Sequence, residues 1–366
     1  MLALGWPLAA AAQDGITPTS VLIGQSAAFS GPAAQLGVHM RDGAKLWLDH
    51  VNAQGGIHGR TIQLRTRDDK YEANLAAENT RRFVNDDRVF ALFAYVGTPT
   101  SQASLPIFTE ARVPFVAPFT GAELLRQPFN RYVFNVRASY YDETEAIVDH
   151  LYRIGARRIA VFHQADSYGQ AGLDGTTRAL VKRNLKVHAA GTVQRNSTEV
   201  TEAVKTLNAS QPDAVVMISA YASTAEFVRQ MKKAGSVASF YTVSFVGSKA
   251  LADALGDDGH GVTISQVVPF PWSPLTPVVR EYLEFARRAQ VEVNFSTLEG
   301  FIAAKVLTEG LRRAGRDLTR DRFIAALESI GNHDFGGFGV SFSPSSHSGS
   351  RFVDLAMIGR GGKFVR

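Results

Sequence analysis

From residue 20 onward, short apolar runs alternate with stretches of helical period, and that rhythm leaves few folds open. The apolar runs fall at 21–24, 62–65, 89–94, 115–117, 158–162, 214–218 and 262–264. Between the first two, Met40, Ala44, Trp47, Leu48 and Val51 recur every three or four residues, the stripe of an amphipathic helix, which Gly55-Gly56 terminates. Further helices are predicted near 73–84, 100–111, 143–154, 169–184, 198–208 and 222–234, and 273–328 reads as mostly helical with no obvious third sheet. Strands separated by such helices pair in parallel and are covered on both faces. A chain of 366 residues exceeds one core of average size. The expected fold class is therefore α/β, with two doubly wound parallel-sheet lobes, and a strand-like tail at 352–358 closes the chain.

Composition narrows the function. The net charge of +5 is spread over scattered pairs such as Arg81-Arg82 and Lys232-Lys233, not a stripe, so no nucleic acid is expected as a partner. Cysteine is absent, which removes disulfides, thiolate metal sites and a cysteine nucleophile. The nine histidines stand alone, and His163 at a strand end reads as structural. There is no phosphate loop, no zinc-protease motif and no dinucleotide fingerprint after the first strand. Gly24-Gln25-Ser26-Ala27-Ala28 lacks the closing glycine of a nucleophile elbow. Neither a catalytic residue, a cofactor nor a metal is expected.

The amino terminus carries an apolar run, Leu2 to Leu8, followed by Ala9-Ala10-Ala11-Ala12, the small residues a signal peptidase needs. Residues 1–16 are expected to be a signal-peptide remnant, truncated at its start, plus a linker. No other stretch approaches the roughly 18 apolar residues of a membrane span. The mature protein is expected in the periplasm.

In open parallel sheets, ligands bind beyond the carboxyl ends of the strands. Gly97-Thr98-Pro99-Thr100 follows one strand, with Thr98 placed to cap a helix and Pro99 at its first position. Pro118-Phe119-Thr120-Gly121-Ala122-Glu123 follows the next, and Thr120 with Glu123 fits a capping box. Each threonine is either a simple cap or a ligand donor; two adjacent turns of this kind favour a binding site. In the second half, turns at Asp166-Ser167-Tyr168-Gly169, Ser219-Ala220-Tyr221 and Ser244-Phe245-Val246-Gly247 offer hydroxyls and aromatic faces. Tyr140-Tyr141-Asp142 stands where the chain is expected to cross between lobes.

Phe29-Ser30-Gly31-Pro32-Ala33-Ala34-Gln35-Leu36-Gly37, with Asn52-Ala53-Gln54-Gly55-Gly56-Ile57-His58-Gly59-Arg60, closely resembles the opening of the leucine/isoleucine/valine-binding family of periplasmic receptors. The resemblance runs from about 17 to 366. It implies a type I periplasmic binding protein, a three-crossing hinge, and lobes at 17–140 plus 268–342 and at 141–267 plus 343–366. It implies a monomer that gives a small-molecule ligand to the permease of an ABC transporter. Ligand contacts are expected from Leu36, Gly97, Thr98, Pro118, Phe119, Thr120, Tyr141, Tyr168, Tyr221 and Ser244. The chain departs from the family at Gly97, where branched-chain binders often carry a hydroxyl, and at Ser244, where amino-acid binders carry the acid that pairs the ligand ammonium. Either Asp166 or Glu299 takes that role, or the ligand is a carboxylate or amide. A ligand-sensing regulator on the same fold is the alternative, and an α/β hydrolase a more distant one.

Overall fold

The computed structural model describes residues 14–366; the leader expected at 1–12 lies outside them. The first half builds β1 (Ser20–Ala27), α1 (Ala34–Ala53), β2 (Thr61–Asp68), α2 (Ala73–Asn85), β3 (Ala91–Phe93), α3 (Thr98–Glu110), β4 (Phe115–Val116) and β5 (Val133–Phe134). These strands form one parallel sheet in the order β2-β1-β3-β4-β5. β3 is buried throughout, as a strand covered on both faces must be.

The chain then enters a second unit: α4 (Tyr140–Arg153), β6 (Ile159–Gln164), α5 (Ser167–Val181), β7 (Ala190–Val193), α6 (Thr201–Ala209), β8 (Ala214–Ile218), α7 (Tyr221–Lys233), β9 (Ser239–Thr242), α8 (Ser248–Leu255) and β10 (Thr263–Gln266). It returns to the first unit with α9 (Pro277–Ala289), α10 (Phe295–Ala314) and α11 (Arg320–Glu328), then a small ribbon of β11 (Gly331–Asp334) and β12 (Gly339–Phe342). It ends in the second sheet with β13 (Asp354–Ile358) and β14 (Phe364–Val365). That sheet runs β14-β13-β10-β9-β8-β6-β7, parallel except for its last two strands in sequence. Two α/β lobes with parallel sheets result, linked by segments at 135–139, 267–276 and 343–353.

The β11–β12 ribbon has no counterpart among the predicted elements. Its strands are four residues each and mostly polar or glycine, so they carry little of the apolar signal that marks a buried strand.

Helix α10 lies hard against α1. A Cβ on Gly43 would stand 1.9 Å from the Thr297 carbonyl oxygen, and one on Gly300 would stand 2.2 Å from that of Met40. Trp47 Nε1 donates to Thr308 Oγ1 at 2.7 Å across the same contact. Only glycine permits this approach, and it fixes the depth at which α10 presents Glu299.

Candidate functional site

The carboxyl ends of β3 and β4 carry the first half of the site. α3 begins differently from the sequence expectation: its N-cap is Gly97, at φ +106°, and no side chain caps it. A Cβ at Gly97 would stand 2.3 Å from the Tyr71 ring, so position and neighbour both demand glycine. Thr98 is thereby moved inside the helix and relieved of capping. Thr120 forms no capping box with Glu123 either; the 3-10 turn Glu123–Leu125 starts from Ala122 with no side-chain cap. Instead the two hydroxyls meet, Thr98 Oγ1 and Thr120 Oγ1 lying 2.6 Å apart, and Thr120 donates to Tyr140 Oη at 3.2 Å. Both threonines are fully buried.

Opposite them, the 3-10 turn Ser244–Val246 after β9 presents Phe245. Its ring centroid lies 4.7 Å from that of Tyr168, 5.5 Å from Phe119 and 5.9 Å from Tyr71, and Tyr140 packs at 5.4 Å from Tyr168. These five rings are buried and come from both lobes. Burial pushes the Tyr71 and Tyr168 phenols well above their ordinary value, so both remain neutral donors. Tyr71 Oη accepts from Gln164 Nε2 at 3.3 Å, whereas Tyr168 Oη has no partner among the described residues.

Of the remaining expected contacts, Pro118 lies in the same turn, accepting from Thr120 N at 2.9 Å. Leu36 is buried at the start of α1 and packs over Gly247 of the second lobe, and half-buried Tyr221 borders the same seam. Tyr141 stands elsewhere. It lines a separate pocket on the hinge side, where Arg178 stacks on its ring at 5.1 Å. On α4, adjacent residues point about 100° apart, so Tyr140 and Tyr141 cannot both face the cleft.

At the centre are three charges. Arg137 is fully buried, with its guanidinium 4.9 Å over the Phe119 ring. Its Nη2 lies 3.4 Å from Glu143 Oε1 and donates to Ser244 Oγ, and its Nε lies 3.6 Å from Glu299 Oε1. Glu143, also fully buried, accepts from Ser244 N at 2.8 Å and from Ser265 Oγ at 2.6 Å. Burial, offset in part by Arg137 and aggravated by Glu143, pushes the Glu299 carboxyl up to about 7. Burial likewise raises Glu143. Burial also works against the Arg137 charge, but Glu299 and Glu143 outweigh it and hold the guanidinium above its ordinary value.

The hydrogen-bond accounts do not close here. Arg137 Nε and Nη1 have no hydrogen-bond partner among the described residues, and Glu299 Oε1 is held there only by its 3.6 Å ion pair with Arg137 Nε. Buried polar groups are ordinarily hydrogen-bonded, so two unbonded arginine donors beside a carboxylate held only by a long ion pair mark a place where a guest could bind. Asp166, the other candidate acid, is already committed: it caps α5 through the amides of Tyr168 and Gly169 and accepts from Gln164 and Arg195. Sequence reasoning named Glu299 only as an option, had Phe245 only as part of a turn offering an aromatic face, and missed Arg137, Glu143 and Tyr71. A lone arginine before a helix N-cap carries no local signal.

The lobes are closed on each other. Arg195 of the second lobe reaches Glu72 of the first at 2.8 Å, Asn196 Nδ2 donates to Glu72 Oε1 at 2.7 Å, and Lys249 meets Glu292 at 3.0 Å. These pairs are partly exposed, so each is worth about 1 kcal/mol or less. Arg195→Ala is expected to shift the unliganded protein towards the open form and to weaken ligand about two- to fivefold, since closure must then be driven by ligand contacts alone. Small-angle scattering should show a larger radius of gyration for the variant; identical curves would reject the latch.

Two parallel-sheet lobes closed over a buried polar centre define a bilobal binding protein. The periplasmic binding protein family matches residues 20–363, and the chain belongs to it. The family consists of extracytoplasmic substrate-binding proteins and not of enzymes. The chain is 25% identical to an amino acid binding protein of Pseudomonas aeruginosa, over 81% of this chain and 79% of that protein. A solved structure of a possible leucine/isoleucine/valine-binding protein from Rhodopirellula baltica is similar with a TM-score of 0.91 and 34% identity, covering 98% of both chains. A substrate-binding periplasmic protein from Ralstonia solanacearum superposes with a TM-score of 0.89 at 33% identity, over 94% of this chain and 99% of that one.

Proposed function

We propose that this protein is the receptor of an ABC importer, capturing an α-amino acid between its lobes and presenting the closed form to a membrane permease. The moving bodies are 17–140 with 268–342 and 141–267 with 343–366. One observation carries the ligand class: the buried centre leaves two Arg137 donors without a hydrogen bond and holds Glu299 only by a 3.6 Å ion pair. A zwitterion uses both. Its carboxylate takes the Thr98–Thr120 hydroxyls and the Arg137 donors, its ammonium takes Glu299, and its side chain lies among Tyr71, Phe119, Tyr168 and Phe245. A simple carboxylate would leave Glu299 unanswered and gather three anions round one guanidinium; a simple amine would leave the arginine and threonines unanswered. An unpaired buried charge is costly, so both guests are disfavoured.

Ligand favours closure only by contacting both lobes better when they are closed. Calorimetry against amino acids, aliphatic acids, aromatic acids and amides tests the reading. At least one amino acid should bind, and Thr98→Val should weaken it about tenfold through loss of one charge-assisted hydrogen bond. Binding confined to acids without an amino group would overturn the ligand class; silence across the panel would overturn the receptor.

A further inference from the structure

The pocket that holds Tyr141 lies outside the cleft, and its lining carries the cations Arg126, Arg178, Lys182 and Arg351 against the carboxylates Glu123, Asp142 and Glu145. It has a volume of about 540 Å³ and is walled by both lobes and by the first and third linking segments. Arg126 forms its inner wall. This guanidinium is 9% exposed and bonds only neutral acceptors: Asn135 Oδ1 at 3.1 Å, the Arg137 carbonyl at 2.8 Å and, at 3.5 Å, that of Ala122. No carboxylate lies within 4 Å of it among the described residues, and burial pushes its pKa down to about 10, with Glu123 opposing from further away. Arg178 enters from α5, stacked on Tyr141 and likewise without a carboxylate partner. At the rim, Lys182 is paired with Glu145 at 2.7 Å and Arg351 with Asp142 at 3.4 Å.

A buried guanidinium normally has a carboxylate or phosphate beside it, because removing the charge from water is otherwise uncompensated. We propose that this hinge pocket is a second binding site, separate from the cleft, which takes a small anion bearing two or three acidic groups. One acidic group answers Arg126 on the first lobe and another answers Arg178 on the second, so that the anion spans the hinge. The pocket volume falls in the range typical of small-molecule sites. Planar, forked donors suit carboxylate and phosphate oxygens alike.

Calorimetry of the full chain at low ionic strength, with citrate and inorganic phosphate as separate probes, tests this. Citrate should bind one per chain and more tightly than phosphate, because its separate carboxylates can answer the two arginines independently. Arg178→Gln changes an exposed side chain, leaves folding intact and is expected to weaken citrate about tenfold or more. Lys186→Gln, an exposed cation outside the pocket, should change nothing, and neither should the cleft variant Thr98→Val. Arg126→Gln should abolish the site if the variant folds. Failure of citrate to bind, equal weakening by Lys186→Gln, or loss in Thr98→Val with retention in Arg178→Gln would each overturn the proposal.

Discussion

Replacing Arg137 with methionine is expected to destabilise the protein by about 3–5 kcal/mol, the largest loss expected of any single substitution in the cleft. The guanidinium is the only cation within 4 Å of either Glu143 or Glu299 among the described residues, and methionine keeps much of its volume while removing the charge. Two buried carboxylates would then share one site with no cation beside them, Glu143 keeping only the neutral donors Ser244 N and Ser265 Oγ. The loss carries a pH signature that a packing defect does not. Arg137 lowers both carboxyls against the rise that burial causes, so without it they take up protons more readily, and the defect shrinks as pH falls. Chemical denaturation at pH 5.5 and pH 8 reads the difference. A loss of equal size at both pH values would mean that Arg137 acts by packing alone.

Glu299→Gln should separate stability from function. In the folded protein the Glu299 carboxyl is raised to about 7 from an ordinary 4.5. The folded state therefore binds more protons than the unfolded one between those values, and this group's contribution to stability falls as pH rises through that window. A glutamine never ionises, so the variant is expected to match the parent near pH 4.5 and to exceed it by roughly 1–3 kcal/mol at pH 8. Binding moves the other way. Without the carboxylate the ligand ammonium is buried unpaired, and affinity for the amino acid should drop about 30-fold or more. With the proposed amino-acid ligand, the same chemistry is expected to make binding by the parent protein pH-dependent. The ammonium needs Glu299 ionised, so affinity should fall below pH 7 and protons should be released on binding. Calorimetry in buffers of different ionisation enthalpy measures that release. Proton uptake, or tighter binding at pH 6 than at pH 8, would show a guest that brings a carboxylate without an ammonium.

Arg137 stands on the first linking segment and Glu299 on α10, far apart in the chain, and that distance separates what was legible from what was not. Strand and helix periodicity is local: β8 at Ala214–Ile218 is one unbroken apolar run, and α7 after it begins at Tyr221, one residue from the expected start. Parallel strands all direct their carboxyl ends the same way, so the turns around Thr98, Thr120, Tyr168 and Ser244 fall at one edge of each sheet by topology alone. Their placement was thus readable from order in the chain. The role of Thr98 was not, since whether a hydroxyl caps a helix or leaves it depends on one backbone angle at Gly97. Tyr141 was misplaced for a related reason: neighbouring tyrosines at a helix start face different directions, and only the docking of α4 decides which of them meets the cleft.

By itself, then, the sequence determined two α/β lobes, the strand ends where a guest would sit, and a family whose members bind small solutes outside the cytoplasm. Tertiary structure alone brought Arg137, Glu143 and Glu299 together. Their meeting depends on how closely α10 packs on α1 through Gly43 and Gly300, and on the closing of one lobe over the other. Charge pairing through space leaves no period in the chain, because Coulomb attraction depends on distance after folding and not on separation in sequence.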